Sequence, residues 1–318
     1  MTTKKLFSLL LLANPLFCFC QENIKIEEFF VLSGHSAGIS SLAFSPDGKF
    51  LVSGSQDESL KIWDLSTKKV TRTITKFGSA PTSLAFSLNG DFLAVGQYAH
   101  IRVYETKKWR KKYQKEIFPA FVENIAVSPN GKQIAATSWK EKSLSLMDFP
   151  SLSNERPLKE NMWTDALSFS SDGNLLLTGS HANCLKIWEL PSGSLVNQFQ
   201  CHNDWIYGCH FFDHDSKIVS IALDSQIVIS EAGTGKKLLA KKMAHNGGIS
   251  YSAISKNKKL LFTVSLDKTL KIWKLEDLEL LAVFTEAKEK LVTMAVSADG
   301  KWAAAGGSDQ KVYLIRLM

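Results

Sequence analysis

Cysteine is scarce in this chain: five in 318 residues, two of them, Cys18 and Cys20, within the first twenty. The remaining three, Cys184, Cys201 and Cys209, are too few for a disulfide framework, so a disulfide-stapled small-domain fold is excluded. Long apolar runs are also lacking. The best, Leu6 to Phe19, is interrupted by Ser8, Asn14 and Pro15 and is too short for a comfortable membrane span. No Pro/Gly/Ser-rich linker or low-complexity segment divides the chain, which argues for one domain. Charge of one sign is not concentrated enough for a dedicated nucleic-acid binder: 38 Lys and Arg against 31 Asp and Glu leave +7, mostly dispersed.

What the first twenty residues do have is order. Lys4 and Lys5 precede the apolar run, and Cys18 and Cys20 place small residues at −3 and −1 of a cleavage before Gln21. That is the pattern of a secretory signal, so residues 1–20 are expected to be removed and 21–318 to form an exported domain, secreted or periplasmic. Without the two lysines the formal charge falls to +5. The three remaining cysteines are expected to be buried free thiols. A retained anchor, or a cytoplasmic chain if this stretch is no signal, is the alternative.

The rest of the sequence is periodic. The stretch Ser53 to Leu65, SGSQDESLKIWDL, returns in weakened form with Tyr104, Met147, Trp188, Ser230, Trp273 and Ile315 at the place of Trp63. The gaps are 41, 43, 41, 42, 43 and 42 residues, the mark of one supersecondary unit copied in tandem. In the first copy, Ile39 to Phe44, Phe50 to Ser53, Leu60 to Asp64 and Val70 to Ile74 read as four strands, with Pro46-Asp47-Gly48 and Gln56-Asp57-Glu58 as turns. Asn-Gly or Asp-Gly recurs at the first turn, supplying the positive φ a tight hairpin needs. Units five and six hold Asp215 and Lys258 at the glycine place, so those two turns are expected to be looser.

These residues, KIWDL, KIWEL and KIWKL above all, resemble the WD-repeat β-propeller family over about residues 28 to 318. The resemblance implies an all-β fold of seven four-stranded antiparallel blades around a channel. The chain stops at the third strand of unit seven, and Ile24 to Leu32 is an unassigned apolar stretch. The N-terminal strand is therefore expected to complete the last blade and close the ring, removing exposed edges.

In that family a buried Trp, a Ser or Thr, a His and an Asp form one network within a blade. The complete set occurs here as His35, Ser53, Asp57 and Trp63, and again as His245, Thr263, Asp267 and Trp273. Unit five has His202, Ser220 and Asp224 but Ser230 for the Trp, so its network should be broken or rewired. A Ser/His/Asp trio also suggests a hydrolase. Recurrence at blade spacing and a buried hydroxyl argue for structure instead, since a nucleophile must be exposed beside an oxyanion site. Cys201-His202, Cys209-His210 and Asp213-His214-Asp215 have metal-site density, but a strand separates their ends and its alternation sends Cys209 and His210 to opposite faces. No metal and no cofactor are expected.

The run from Lys107 to Lys115, KKWRKKYQK, follows the third strand of unit two. It reads as a rim loop and outer edge strand, where lysine guards against strand pairing, with an anionic surface as the competing partner. Propellers of the family bind partners on the face made by the loops entering each first strand and the turns between second and third. There the repeat places Tyr98, Phe121, Trp139, Trp163, His181, Trp205 and Tyr207, all from units two to five, with Glu123 and Asp165 among them. An aromatic arc with two carboxylates favours a protein or peptide ligand carrying Lys or Arg. Rings that merely cap the channel and pack between blades are the competing reading. The expected function is thus a non-catalytic interaction scaffold, and a monomer, since a closed ring has no need of self-association. An enzyme with its site in the central channel is the alternative; no titratable set recurs on channel-lining strands to support it.

Overall fold

The computed structural model describes residues 24–138, 143–160 and 162–318; the expected signal, residues 1–20, and Trp139 lie outside them. Every regular element among the described residues is a β-strand.

Blade one consists of Ile39–Phe44, Phe50–Ser55, Leu60–Asp64 and Lys69–Ile74, ordered from the channel outward. Blade four is Thr164–Phe169, Leu175–Ser180, Cys184–Glu189 and Ser194–Gln200. Blade five is Ile206–Phe212, Lys217–Ala222, Ile227–Glu231 and Lys237–Lys241. Blade six is Ile249–Ile254, Leu260–Ser265, Leu270–Lys274 and Leu280–Phe284. Blade seven takes three strands from the end of the chain, Leu291–Val296, Trp302–Gly307 and Lys311–Leu317. Its fourth is Ile26–Ser33, antiparallel to the third with Phe30 opposite Leu314.

Blades two and three are joined. Blade two has Ser83–Phe86, Phe92–Gly96 and Tyr98–Glu105, and its outer strand is the start of a single 18-residue strand, Arg110–Val127. The far half of that strand is the innermost strand of blade three, followed by Gln133–Ser138, Ser143–Asp148 and the short Arg156–Leu158. Pairing shifts between His100↔Glu116 and Tyr98↔Phe121, so the strand bulges as it crosses from rim to channel.

The middle strands are buried on both faces, which explains why they read as unbroken apolar runs rather than alternating ones; Leu260–Ser265 is buried throughout. Alternate side chains go to opposite neighbours. In blade five, Ile218 and Val228 pack toward blade four, while Val219, Ile221 and Ile229 pack toward blade six. One apolar cluster fills each of the seven gaps between blades. The gap between blades seven and one is filled by Leu32, Ile39, Leu51, Trp63, Val312 and Leu314, and this cluster closes the ring.

The turns of units five and six are not simply looser. Asp215 and Lys258 adopt the glycine conformation, at φ 63° and 55°, and the unit-six turn closes the same hydrogen bond as the glycine turns. Their side chains form a clasp instead. Lys258 Nζ lies 3.0 Å from Asp215 Oδ1 and donates to Ser171 Oγ at 2.6 Å, and Ser171 N–H donates to Asp215 at 2.7 Å. Three blades are tied through turns where glycine would tie none.

Candidate ligand-binding face

Two kinds of polar cluster are present, and their geometries separate them. The first lies within blades. In blade one, Trp63 Nε1–H donates to Ser53 Oγ at 2.8 Å, Ser53 is 2.7 Å from His35 Nε2, and His35 Nδ1 is 2.8 Å from Asp57. An indole N–H only donates, so the serine proton goes to Nε2 and the imidazole proton sits on Nδ1, facing the carboxylate. Burial lowers the His35 pKa despite the opposing pull of Asp57, keeping the ring neutral. Asp57, although partly desolvated, is held down to about 2 by Ser59, the Ser36 N–H and His35.

Blade six repeats the chain: Trp273 to Thr263 at 2.9 Å, Thr263 to His245 at 2.8 Å, His245 to Asp267 at 3.0 Å. Blade five is rewired. His202 keeps Ser220 at 2.9 Å and Asp224 at 3.0 Å, while Cys201 Sγ stands 3.6 Å from Ser220 in place of an indole. The hydroxyls of Ser53 and Thr263 are fully buried, which closes them to a substrate. Cys209 and His210 part as the strand reading requires: Cys209 joins the core toward blade four, and His210 Nε2 meets Ser252 Oγ of blade six at 3.0 Å. Burial pushes the Cys201 thiol up to about 11 and raises Cys209 as well. Cys184 departs from the expectation of three buried thiols. It is half-buried and lines a groove of about 840 Å³ between blades three and four.

The second kind of cluster lies across blades. Backbone bonds join each entering loop to the turn of its own blade: Gln56 N–H to Gly38 C=O at 2.9 Å, His181 to Trp163 at 2.9 Å, Leu223 to Trp205 at 3.0 Å. The register positions therefore share one face. Side chains at or just before the first strands then reach the next blade, Thr82 to the Val122 carbonyl and Asn124 to the Asp165 carbonyl at 2.7 Å.

On that face the arc divides in two. Tyr98 and Phe121 form an edge-to-face pair at 5.2 Å where blade two meets blade three, with the Tyr98 hydroxyl on the Pro119 carbonyl at 3.3 Å. The rest gathers around His181. Its Nε2–H donates to Asp165, Trp205 stacks on it at 4.1 Å and 3° between planes, and Trp163 and Tyr207 approach at 5.5 and 5.9 Å. Trp205 nevertheless remains 40% exposed, whereas Trp163 and Tyr207 are half-buried. Sequence reading placed all these residues on one face but missed the stack, because ring-on-ring geometry depends on rotamers that spacing does not encode.

Glu123 completes the group from blade three. Burial first, and the Asp165 charge second, push its pKa up to about 7 against the pull of His181. Among the described residues its carboxylate makes no hydrogen bond or ion pair. Burial and the charges of Asp165, Glu123 and Asp204 likewise lift Tyr207 to about 12. The arrangement is a ring-walled, electronegative recess in which Asp165 is engaged by His181 and Glu123 is left open, suited to a cation.

Comparison with known proteins agrees with the architecture. The family model described as "WD domain, G-beta repeat" matches residues 27–64, 164–189, 236–274 and 278–316. The chain is 22% identical over 311 residues to "Guanine nucleotide-binding protein subunit beta-like protein 1" of Mus musculus, covering 90% of this chain and 94% of that one. It is 23% identical to "Transducin beta-like protein 3" of Mus musculus over 80% of this chain but 41% of that one. To "COMPASS component SWD3" of Saccharomyces cerevisiae it is 28% identical over 64% of this chain and 67% of that one.

Proposed function

Because the chain belongs to the WD-repeat β-propeller family, we propose that it is a non-catalytic platform that holds a protein or peptide ligand on the face of blades two to five, with a Lys or Arg side chain received beside Glu123. The observation that carries this reading is Trp205, large and 40% exposed, stacked on His181 next to a carboxylate without a partner. Trp and Tyr bury much area while losing few rotamers, so exposed, ring-backed ones make binding anchors. A relative named as a component of a larger assembly supports an interaction role. Export rests on the pattern in residues 1–20; the mass of the mature N-terminus tests it, Gln21 supporting export and an intact Met1 refuting it.

Peptide-display selection against the intact chain tests the binding reading. Lys- or Arg-bearing peptides are expected to be enriched, and Trp205→Ala should weaken the best of them by about tenfold or more. Since Trp205 is 40% exposed and lies outside the inter-blade apolar clusters, the melting temperature of the variant should move by no more than about 2 °C. Selected peptides that bind the Trp205→Ala chain equally well would place the ligand elsewhere.

The pH dependence has a definite sign. Glu123 loses its proton near 4.5 when unfolded and about 7 when folded, so native stability falls as pH rises across that window. A bound cation reverses the preference by favouring the carboxylate. Affinity for a basic peptide should therefore rise with pH and level off above 7, being about tenfold weaker at pH 6 than at pH 8. Titration calorimetry at several pH values measures this. Glu123→Gln should flatten the profile, and an unchanged slope in that variant would remove Glu123 from the site.

A further inference from the structure

The basic run of unit two turns out to be half of a larger surface. Its other half comes from blade one, whose outermost strand carries Lys69 and Arg72, both exposed. The two halves are fastened together. The Arg72 guanidinium donates to the Lys108 carbonyl at 2.6 Å, and Trp109 in the blade-two turn packs edge-to-face on Phe50 of blade one. Lys107, Lys108, Arg110, Lys111 and Lys112 are all exposed beside them.

None of these seven cations is ion-paired among the described residues. Asp64 and Glu105 stand opposite Lys69 and Arg110 in their strand pairs without bonding to them. Asp64 is instead occupied by Ser66 and Thr67. Ion pairs lie at the borders, where Lys115 meets Glu155 at 3.0 Å toward blade three and Arg316 meets Glu27 and Glu28 at 3.1 Å on blade seven, and in the first turn of blade one, where Lys49 meets Asp47 at 3.5 Å.

Edge protection does not account for this concentration. The outermost strands of blades four and six, Ser194–Gln200 and Leu280–Phe284, are edges of the same kind and contain no lysine or arginine, with Leu195 and Leu280 exposed instead. Lysine is therefore not a general feature of the outer edges of this fold. A cluster of unneutralised cations also costs self-repulsion, which an anionic partner would relieve.

The shape of the surface selects among anionic partners. It is a rim of strand edges and a turn rather than a groove that could track a nucleic-acid backbone. Its rings are committed, Trp109 against Phe50 and Tyr113 with Phe92 to the Lys112 ammonium, leaving no open platform for base stacking. We propose that the joined outer edges of blades one and two form a docking surface for an anionic lipid bilayer, with lysine and arginine heads meeting the lipid phosphates and carboxylates. The surface is separate from the aromatic face and does not depend on the function assigned to it.

Co-sedimentation of the intact chain with phosphatidylcholine vesicles, with and without phosphatidylserine, tests the proposal. Binding is expected only when phosphatidylserine is present and should fall with added salt. Replacing Lys107, Lys108 and Lys111 by Gln should weaken it about 100-fold, near fivefold per lysine. Removing the same charge from blade five, with Lys236, Lys237 and Lys241 changed to Gln, should change it by less than about fivefold. All six side chains are exposed, and an unchanged melting temperature verifies folding in each variant. Equal losses in the two variants would reduce the effect to net charge and overturn the proposal. So would binding to vesicles without phosphatidylserine, or tighter binding to a single-stranded oligonucleotide that the blade-two substitutions abolish.

Discussion

Trp273→Ala is expected to cost the ring about 3–5 kcal/mol, measured by urea unfolding. Trp273 is 1% exposed and lies in the apolar cluster between blades five and six, with Val219, Ile229 and Leu261. Truncation removes that packing and leaves a cavity between two sheets that cannot collapse, since each also packs on its other face. Part of the loss is polar. The indole N–H is what directs the Thr263 proton toward His245, so removing it frees the hydroxyl to point either way and loosens the chain to Asp267. Trp273→Phe separates the two parts. It keeps most of the volume and drops the donor, and should cost about 1–2 kcal/mol. A loss under about 1 kcal/mol for the alanine variant would mean that this inter-blade cluster does not hold the ring.

The second large effect is expected at Glu160. Its carboxylate, fully buried, accepts from Lys186 Nζ at 2.7 Å and from the Met162 N–H at 3.0 Å, and the Lys186 side chain is only 8% exposed. Glu160→Ala leaves an ammonium without its counter-charge in a place that hydrates it poorly, at a cost of about 3 kcal/mol. The lower end of the usual range applies because Lys186 lines the groove between blades three and four and can recover some water. The double change Glu160→Leu with Lys186→Met removes both charges and should recover most of the loss. Urea unfolding of the three chains decides the matter: equal destabilisation of single and double variants would show that side-chain packing, and not the stranded charge, carries the effect.

The parts of this molecule legible in sequence are those the repeat copies. Blade one was readable nearly residue by residue, with strands expected at 50–53 and 70–74 and found at Phe50–Ser55 and Lys69–Ile74. Alternation, turn glycines and the Trp position are local signals there. The closing strand was readable because an apolar stretch stood unassigned at one end and a strand was missing at the other. What escaped depends on contacts between copies. Nothing local announces that Arg110–Val127 runs unbroken through two blades, or that Asp215 and Lys258, poor turn residues by themselves, hold each other across a gap. The aromatic face was intermediate. Its residues could be placed by register, yet its division into a Tyr98–Phe121 pair and a group around His181 follows from distances between blades.

The strand Arg110–Val127 joins the two surfaces proposed for this chain. Arg110 stands at its start on the basic rim, and Glu123 lies near its far end within the recess. Thirteen residues of extended chain span at most about 45 Å, and the bulge shortens this. The strand is hydrogen-bonded to neighbours along both halves, so it acts as a fixed measure rather than a tether. A peptide held at Glu123 would therefore sit at one height above a membrane held at Arg110. Lengthening the strand would change that height without touching either surface.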